Sequence, residues 1–432
     1  MSASTPEPGS RRRGRTIAGL GIATALVTAA TALTPATAES ATRADTTAVT
    51  ATPVTHAAKI GLTLPAPTGG QPIGTVALHL VDRSRPDPLM PVKPYRELMV
   101  SIWYPATGAA GLPPAPHMSR LAAADWDRNS APQMSIKPGA VDWAATLTHA
   151  RIGAPVDRKA GAYPIILFAS GDGGPRTLGT ALVEELASRG YIVVSVDHTY
   201  EADQVEFPGG RVERALPLPD KLTEEVIAEL LRKHSRARLT DMSFVLDRLG
   251  GLSQGRNPDA HGTPLPAGLR ESLNLSRIGM LGQSLAGSVA AQLAHDDRRV
   301  DAGVNLDGEY VGPIARTGLA KPFLQMASGS KTRQSEPTWK SFWSRSTGWK
   351  RELRFTGSQH GSFTDLQAVL PQLAGKLKDL PITELIGTID PRRSIAAQRA
   401  YVTAFFDQHL KGRPTHLFDG PTPRYPEVKL VP

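Results

Sequence analysis

"RIGMLGQSLAGSVAAQLA" occupies residues 277–294. It reads as an apolar strand, then a serine among small residues, then an amphipathic helix. A strand that turns at once into a helix around Ser284, with Gly282 before it and Ala286 and Gly287 after it, is the setting of a nucleophile elbow. There the serine takes a strained backbone conformation, and small residues two positions away on either side keep it clear of strand and helix. The plainer alternative is a serine that caps the helix N-terminus. A five-residue pattern arises by chance, so its weight depends on what the rest of the chain supplies.

Outward from this stretch, apolar runs alternate with helical patterns. Residues 98–105, 163–170, 191–198, 300–307, 322–327 and 352–357 read as further strands, several of them apolar on both faces. Residues 177–190 and 238–250 read as helices between them, the first closed by Gly190. This alternation predicts an α/β fold, a doubly wound and mostly parallel sheet. Two insertions interrupt it, 106–160 and 203–237. The second contains a separate helix, "DKLTEEVIAELLRKH", whose apolar side has the character of a lid over a pocket or of ordinary surface packing.

The chain has 432 residues, 40% of them hydrophobic, and no cysteine. That excludes disulfides, thiol catalysis and cysteine-bound metals. Residues 1–38 carry a basic start (Arg11, Arg12, Arg13, Arg15), an apolar stretch and the small-residue pattern Ala36-Thr37-Ala38, the layout of an export signal cleaved after Ala38. The paired arginines suggest twin-arginine export. Residues 39–60 read as a flexible leader, 61–412 as the catalytic domain and 413–432 as a C-terminal tail. The whole chain has a net charge of +9; without the four arginines and one glutamate of the signal, 45 basic and 39 acidic residues leave +6. These charges are scattered, with no basic helix, which argues against a nucleic-acid partner. No later segment approaches a membrane span. Secretion is the expectation, with oligomeric state open.

A serine hydroxyl needs a base, and the base needs an orienting acid. His360, in a Gly/Ser turn after the 352–357 strand, is the best-placed imidazole. Asp307 ends the strand that follows the serine helix, 23 residues beyond Ser284. Glu336, one strand later, is the alternative acid, and Asp307 is preferred for its place at the strand end beside Gly308. Backbone N–H groups must hold the developing oxyanion. The amide of Leu285 is one candidate, and Asp172, in the loop "SGDGGPRTL", is the other. That loop lacks the lysine of a phosphate cradle, so nucleotide binding is discounted. No His/Asp/Glu set has metal-ligand spacing, and no cofactor is expected. His198, Asp197, Tyr200 and Asp203 read as hydrogen-bonded support, and Asp390-Pro391 as a helix start.

The order "YPIILFASGDGGPRTL…LASRGYIVVSVDH…GQSLAG…VNLDG…GSQHGSF" resembles the platelet-activating factor acetylhydrolase family of α/β-hydrolases, from about Gly61 to Gly412, and "FFDQHLKG" is similar to the closing helix of bacterial esterases. The resemblance implies an α/β-hydrolase fold and a serine esterase acting on short-acyl esters or phospholipids. It implies Ser284 as nucleophile, Asp307 as acid and His360 as base, with oxyanion donors at Leu285 and Asp172. Two positions depart from the family pattern: Ser170, where histidine is frequent, and Ala286, where the elbow has glycine. A lipase or amidase with the same triad and a non-catalytic binding protein are the rival readings. The charged 203–237 segment argues against a long-chain lipase, and the complete Ser–Asp–His order argues against a binding protein.

Overall fold

The computed structural model of the protein describes residues 58–329 and 331–432. The expected export signal and nearly all of the expected leader lie outside the described residues. Near the start of the described residues, Ile60 exchanges backbone hydrogen bonds with Ala140 and Asp142.

The strands are, in chain order, β1 (Ile73–Asp82), β2 (Arg96–Pro105), β3 (Pro114–Pro116), β4 (Leu147–Ile152), β5 (Tyr163–Ala169), β6 (Ile192–His198), β7 (Gln204–Glu206) and β8 (Val212–Arg214). They continue with β9 (Leu273–Gln283), β10 (Val300–Leu306), β11 (Phe323–Ala327), β12 (Lys350–Phe355) and β13 (Val428–Val431). The helices are α1 (Arg120–Asn129), α2 (Thr180–Ser188), α3 (Glu224–Ser253), α4 (Leu285–Asp296), α5 (Ile314–Thr317), α6 (Pro337–Arg345), α7 (Leu366–Leu373), α8 (Ile382–Ile386) and α9 (Pro391–Lys411).

Eleven strands form one sheet in the order β13-β12-β11-β10-β9-β5-β6-β2-β1-β4-β3. The run from β6 through β5, β9, β10 and β11 to β12 is parallel throughout. A parallel sheet needs cover on both faces, and strand periodicity supplies apolar groups to both. Along β5, Ile165, Leu167 and Ala169 join the core beneath α3 and α4. Ile166 and Phe168 join the opposite core, with α2 and α9. Residues of the 106–160 insertion build a third cluster around Trp126 and Trp143, packed against α7.

Three features differ from the sequence expectation. The helix expected in the second insertion and the helix over 238–250 are one 30-residue helix, α3. Thr223 caps it by accepting the Val226 N–H at 3.3 Å, and no glycine or proline interrupts it before Gly250. Residues 413–432 do not form a free tail: Phe418 and Tyr425 are buried, and β13 pairs antiparallel with β12. β1 and β4 extend the sheet beyond β2, although β1 carried a legible period-two signal, Val76, Leu78 and Leu80 alternating with Thr75, Ala77 and His79.

Where α3 crosses the end of β6, Asp241 is fully buried among cationic and imidazole donors. Arg96 donates through Nη2 at 2.8 Å and Nε at 3.1 Å, Arg85 through Nη2 at 2.6 Å, and His198 through Nδ1 at 2.8 Å. Burial opposes the Asp241 charge, but the Arg96 charge and these hydrogen bonds outweigh it and hold the carboxyl below its usual range. Asp241→Asn removes the buried carboxylate that Arg96 and Arg85 share, leaving each with one acidic partner, Asp87 and Asp82. We expect it to lose about 3–5 kcal/mol of unfolding free energy in denaturant titrations at neutral pH. A depressed carboxyl stabilises above its unfolded pKa, so the gap from wild type should narrow below about pH 4.

Candidate active site

Ser284 sits between β9 and α4 at φ 55° and ψ −126°, a conformation costly for a residue with a side chain. Its N–H donates to Leu306 O at 2.9 Å, and its carbonyl accepts the Gly287 N–H at 2.8 Å. A Cβ on Gly282 would fall 2.0 Å from the Ala286 carbonyl oxygen, and one on Gly287 would fall 1.9 Å from Asn305 Oδ1. Position 286 itself tolerates a methyl group, packed in the core beneath the helix. The departure at Ala286 is therefore accommodated, and the close approach that admits no side chain falls at Gly287.

Asp307 follows β10 with φ 60° and is fully buried. Its Oδ2 accepts from His360 Nδ1 at 2.7 Å, and its Oδ1 accepts the Ser328 N–H at 2.7 Å. Lys331 Nζ stands 3.8 Å from Oδ2. Burial alone would raise the carboxyl pKa, but the hydrogen bond from His360, with Lys331 and the Ser328 amide, holds it below the usual range. Glu336 does not meet His360; it stands at the N-terminus of α6, with its carboxyl pushed up by burial and by Glu309.

Sequence reasoning missed Gln283, although it adjoins the serine. Its Oε1 accepts the Gly171 N–H at 2.9 Å, and its Nε2 stands 3.1 Å from His360 Nε2. A backbone N–H only donates, so Oε1 must face Gly171 and the NH2 group must face the imidazole. His360 Nε2 is then an acceptor, and the ring proton sits on Nδ1, where Asp307 receives it. This tautomer is the one a base at Nε2 requires.

The loop after β5 packs against the serine. A Cβ on Gly171 would lie 2.8 Å from Ser284 Cβ and 3.4 Å from Oγ. Among the described residues, the Asp172 N–H donates no hydrogen bond to the protein. Leu285 is the first residue of α4, where a helix N–H has no intrahelical partner. Of the two expected oxyanion amides, Leu285 thus adjoins Ser284 in the chain, and Asp172 follows Gly171, which packs against it.

The Asp172 side chain turns away, into a cluster the sequence did not suggest. Its Oδ1 accepts from His234 Nδ1 at 2.6 Å, and the ligating atoms of Asp172, Glu201 and His234 all lie within 4.8 Å of one another. That geometry corrects the expectation that no such set exists. It is already charge-compensated: Arg238 donates through Nε to Glu201 Oε1 at 2.6 Å, so a guanidinium supplies the positive charge a metal ion would bring. His198, Asp197 and Asp203 are occupied elsewhere, with Asp241, Arg176 and Ser130 respectively.

The sheet, the elbow and the Asp307–His360 pair define the α/β-hydrolase class. The family model described as "Platelet-activating factor acetylhydrolase, isoform II" matches residues 143–415, and the chain belongs to that family. A probable 1-alkyl-2-acetylglycerophosphocholine esterase of Arthroderma benhamiae is 29% identical over 288 residues, 62% of this chain and 66% of that protein. A platelet-activating factor acetylhydrolase of Gallus gallus is 24% identical over 273 residues, 57% of this chain and 62% of that one. The chain thus spans less than two thirds of the length of these relatives. A solved ferulic acid esterase from Streptomyces cinnamoneus is 36% identical, with TM-score 0.71 over 86% of this chain and 100% of that one.

Asn305 fixes the turn after β10 by accepting the Gly308 N–H at 2.8 Å and donating to Gly308 O at 2.7 Å. A Cβ on Gly308 would lie 1.9 Å from the Ser284 carbonyl oxygen. Because that contact is with backbone, Gly308→Ala should lower the unfolding free energy by about 1–3 kcal/mol in denaturant titration, whereas Gly312→Ala, with open space around its Cβ, should lose only the smaller cost of its positive φ.

Proposed function

We propose that the chain hydrolyses carboxylic esters, with Ser284 as nucleophile, His360 as general base and Asp307 as the acid that orients it. The observation that carries this reading is a serine held at φ 55° between strand and helix, next in sequence to Gln283, whose Nε2 stands 3.1 Å from an imidazole that a buried carboxylate holds through Nδ1 at 2.7 Å.

In this mechanism Ser284 Oγ attacks the ester carbonyl carbon while His360 Nε2 takes its proton. Once protonated, Nε2 can no longer accept from Gln283, so that bond is given up during attack. Asp307 keeps its bond to Nδ1 and stabilises the imidazolium. The oxyanion receives the N–H groups of Leu285 and Asp172. Collapse of the tetrahedral intermediate breaks the bond to the alcohol oxygen, and the alcohol leaves with the proton from Nε2. Water then attacks the acyl-serine, gives a proton to His360, and the free acid departs as Ser284 recovers its hydrogen. None of these steps calls on a cofactor.

For the substrate, the names of the relatives support short-acyl esters, including 2-acetyl glycerophospholipids. Hydroxycinnamoyl esters are the second reading, supported by the higher identity and fuller coverage of the ferulic acid esterase. We also propose that residues 1–38 direct export, on the strength of the basic start and the Ala36-Thr37-Ala38 pattern. No helix among the described residues is long and apolar enough to cross a membrane.

The test is hydrolysis of p-nitrophenyl esters from acetyl to palmitoyl, of methyl ferulate and of a 1-alkyl-2-acetyl glycerophosphocholine, by wild type and three variants. Ser284→Ala should reduce turnover to background. Asp307→Asn should lower kcat by about 10⁴-fold through the wrong imidazole tautomer, and Glu336→Gln should leave it close to wild type. Turnover that survives in Ser284→Ala overturns the mechanism, and a collapse in Glu336→Gln with activity kept in Asp307→Asn reassigns the acid. For export, the N-terminus of the protein recovered from the medium should be Glu39; a mature chain that still begins before Arg11 overturns that proposal.

A further inference from the structure

Arg238 lies in the middle of α3 and is 1% exposed. Its guanidinium spans two consecutive carbonyls of the loop after β5: Nη1 donates to Ser170 O at 2.6 Å and Nη2 to Gly171 O at 2.8 Å. Glu201, also buried, anchors the same guanidinium through Nε at 2.6 Å. In a trans peptide, the C=O of one residue and the N–H of the next point in opposite directions, and the described chain has no cis bonds. Two carbonyls held toward Arg238 therefore aim the two following N–H groups away from it. The first is that of Gly171, and it reaches Gln283 Oε1 on the serine side. The second is that of Asp172, which donates to no protein group among the described residues.

We infer that Arg238, anchored by Glu201, is a positioning residue for the oxyanion hole: by holding the Ser170 and Gly171 carbonyls it fixes the Asp172 N–H in its donating orientation. The fixed fork of a guanidinium suits this task, because a lysine ammonium offers no comparable planar pair of donors for two adjacent carbonyls. Farther along the loop, Asp203 N–H reaches Gly173 O at 2.7 Å and Arg176 N–H reaches Asp197 Oδ1 at 2.5 Å. Gly174 N–H also reaches Gly171 O at 3.0 Å, and Ser170 Oγ reaches Pro175 O at 2.7 Å, but neither holds the Ser170 carbonyl. His234, one helical turn before Arg238, ties the Asp172 carboxylate at 2.6 Å. The side chain of Asp172 is thus drawn to α3 while its amide points away from Arg238.

This inference rests on the ester-hydrolase reading. It is tested with an ester whose turnover by wild type is lost in Ser284→Ala, so failure of that reading shows before any Arg238 variant is made. Three variants are compared: Arg238→Lys, Arg238→Met, and Arg238→Met with Glu201→Gln, which removes both buried charges together. Removal of one direct oxyanion donor costs about 10²–10³ in kcat, so loosening one should cost about 10–100-fold. We expect a loss of that size in the double variant, with KM within about threefold of wild type. Affinity for a trifluoromethyl ketone, whose serine adduct carries the oxyanion, should fall in parallel. Arg238→Lys should recover part of the loss in both quantities. If either methionine variant fails to fold by circular dichroism, Arg238→Lys carries the test. A folded variant with unchanged kcat and ketone affinity overturns the inference. So does a kcat loss with unchanged ketone affinity, which would mean that the oxyanion is held without Arg238.

Discussion

The backbone of Ser284 is the constraint on which the rest of the site depends. Positive φ at a residue with a side chain costs about 1–3 kcal/mol and persists only when its surroundings determine it fully. Here the Leu306 carbonyl, the Gly287 amide and the space at Gly282, Gly287 and Gly308 all serve that one residue. Leu306 pairs with Gln283 in the parallel register of β9 and β10. The register that supports the elbow therefore also delivers Asp307, the next residue, beside it. An acid one strand farther along would need a longer reach, and Glu336 instead begins α6.

Two buried carboxylates near this point show how partners decide charge. Asp307 faces His360, Lys331 and a backbone amide, and it is held below the usual carboxylate range despite full burial. Glu201 is equally buried and touches Arg238, yet burial together with the neighbouring Asp172 charge pushes it up to about 7. The two histidines of the same region divide in the same way. Burial and the charge of Arg238 lower His198 to about 4, leaving a neutral donor to Asp241. His234 resists burial through its bond to Asp172 and the charge of Glu201, and its pKa rises. Glu201 and the two histidines converge on α3, where His234, Arg238 and Asp241 fall at spacings of four and three and so share one face. One helix thus holds both the end of β6 and the back of the loop beside Ser284.

That face was written in the sequence but was obscured by dividing the helix near residue 237. The charged stretch from Lys233 to Arg238 resembles a boundary, yet it holds no breaker, and tertiary burial of its inner face keeps the helix continuous. The parallel strands and the Ser284 turn were legible because each is a local pattern: apolar runs, small residues, a strand followed at once by a helix. His360 and Asp307 were legible because strand ends have predictable positions in a parallel sheet. Gln283 and Arg238 were not. Their roles depend on which carbonyl or amide lies opposite, across 112 residues in one case and 67 or 68 in the other. The C-terminal strand was hidden differently, since the proline-rich approach to Val428 reads as a tail and only β12 makes it an edge strand.

Gln283 then links what the elbow and the loop do separately. The Gly171 amide decides the orientation of its carboxamide, the carboxamide decides which imidazole nitrogen is free of its proton, and that decides what Asp307 receives. A loop that moves would lose more than the proposed oxyanion donor. Without the Gly171 N–H, the Gln283 amide is free to turn its oxygen toward Nε2, which then favours a proton there and empties the bond to Asp307. Arg238 stands behind the same peptide. Its hold on the Ser170 carbonyl is therefore also a hold, two hydrogen bonds removed, on which ring nitrogen of His360 faces Asp307 with a proton.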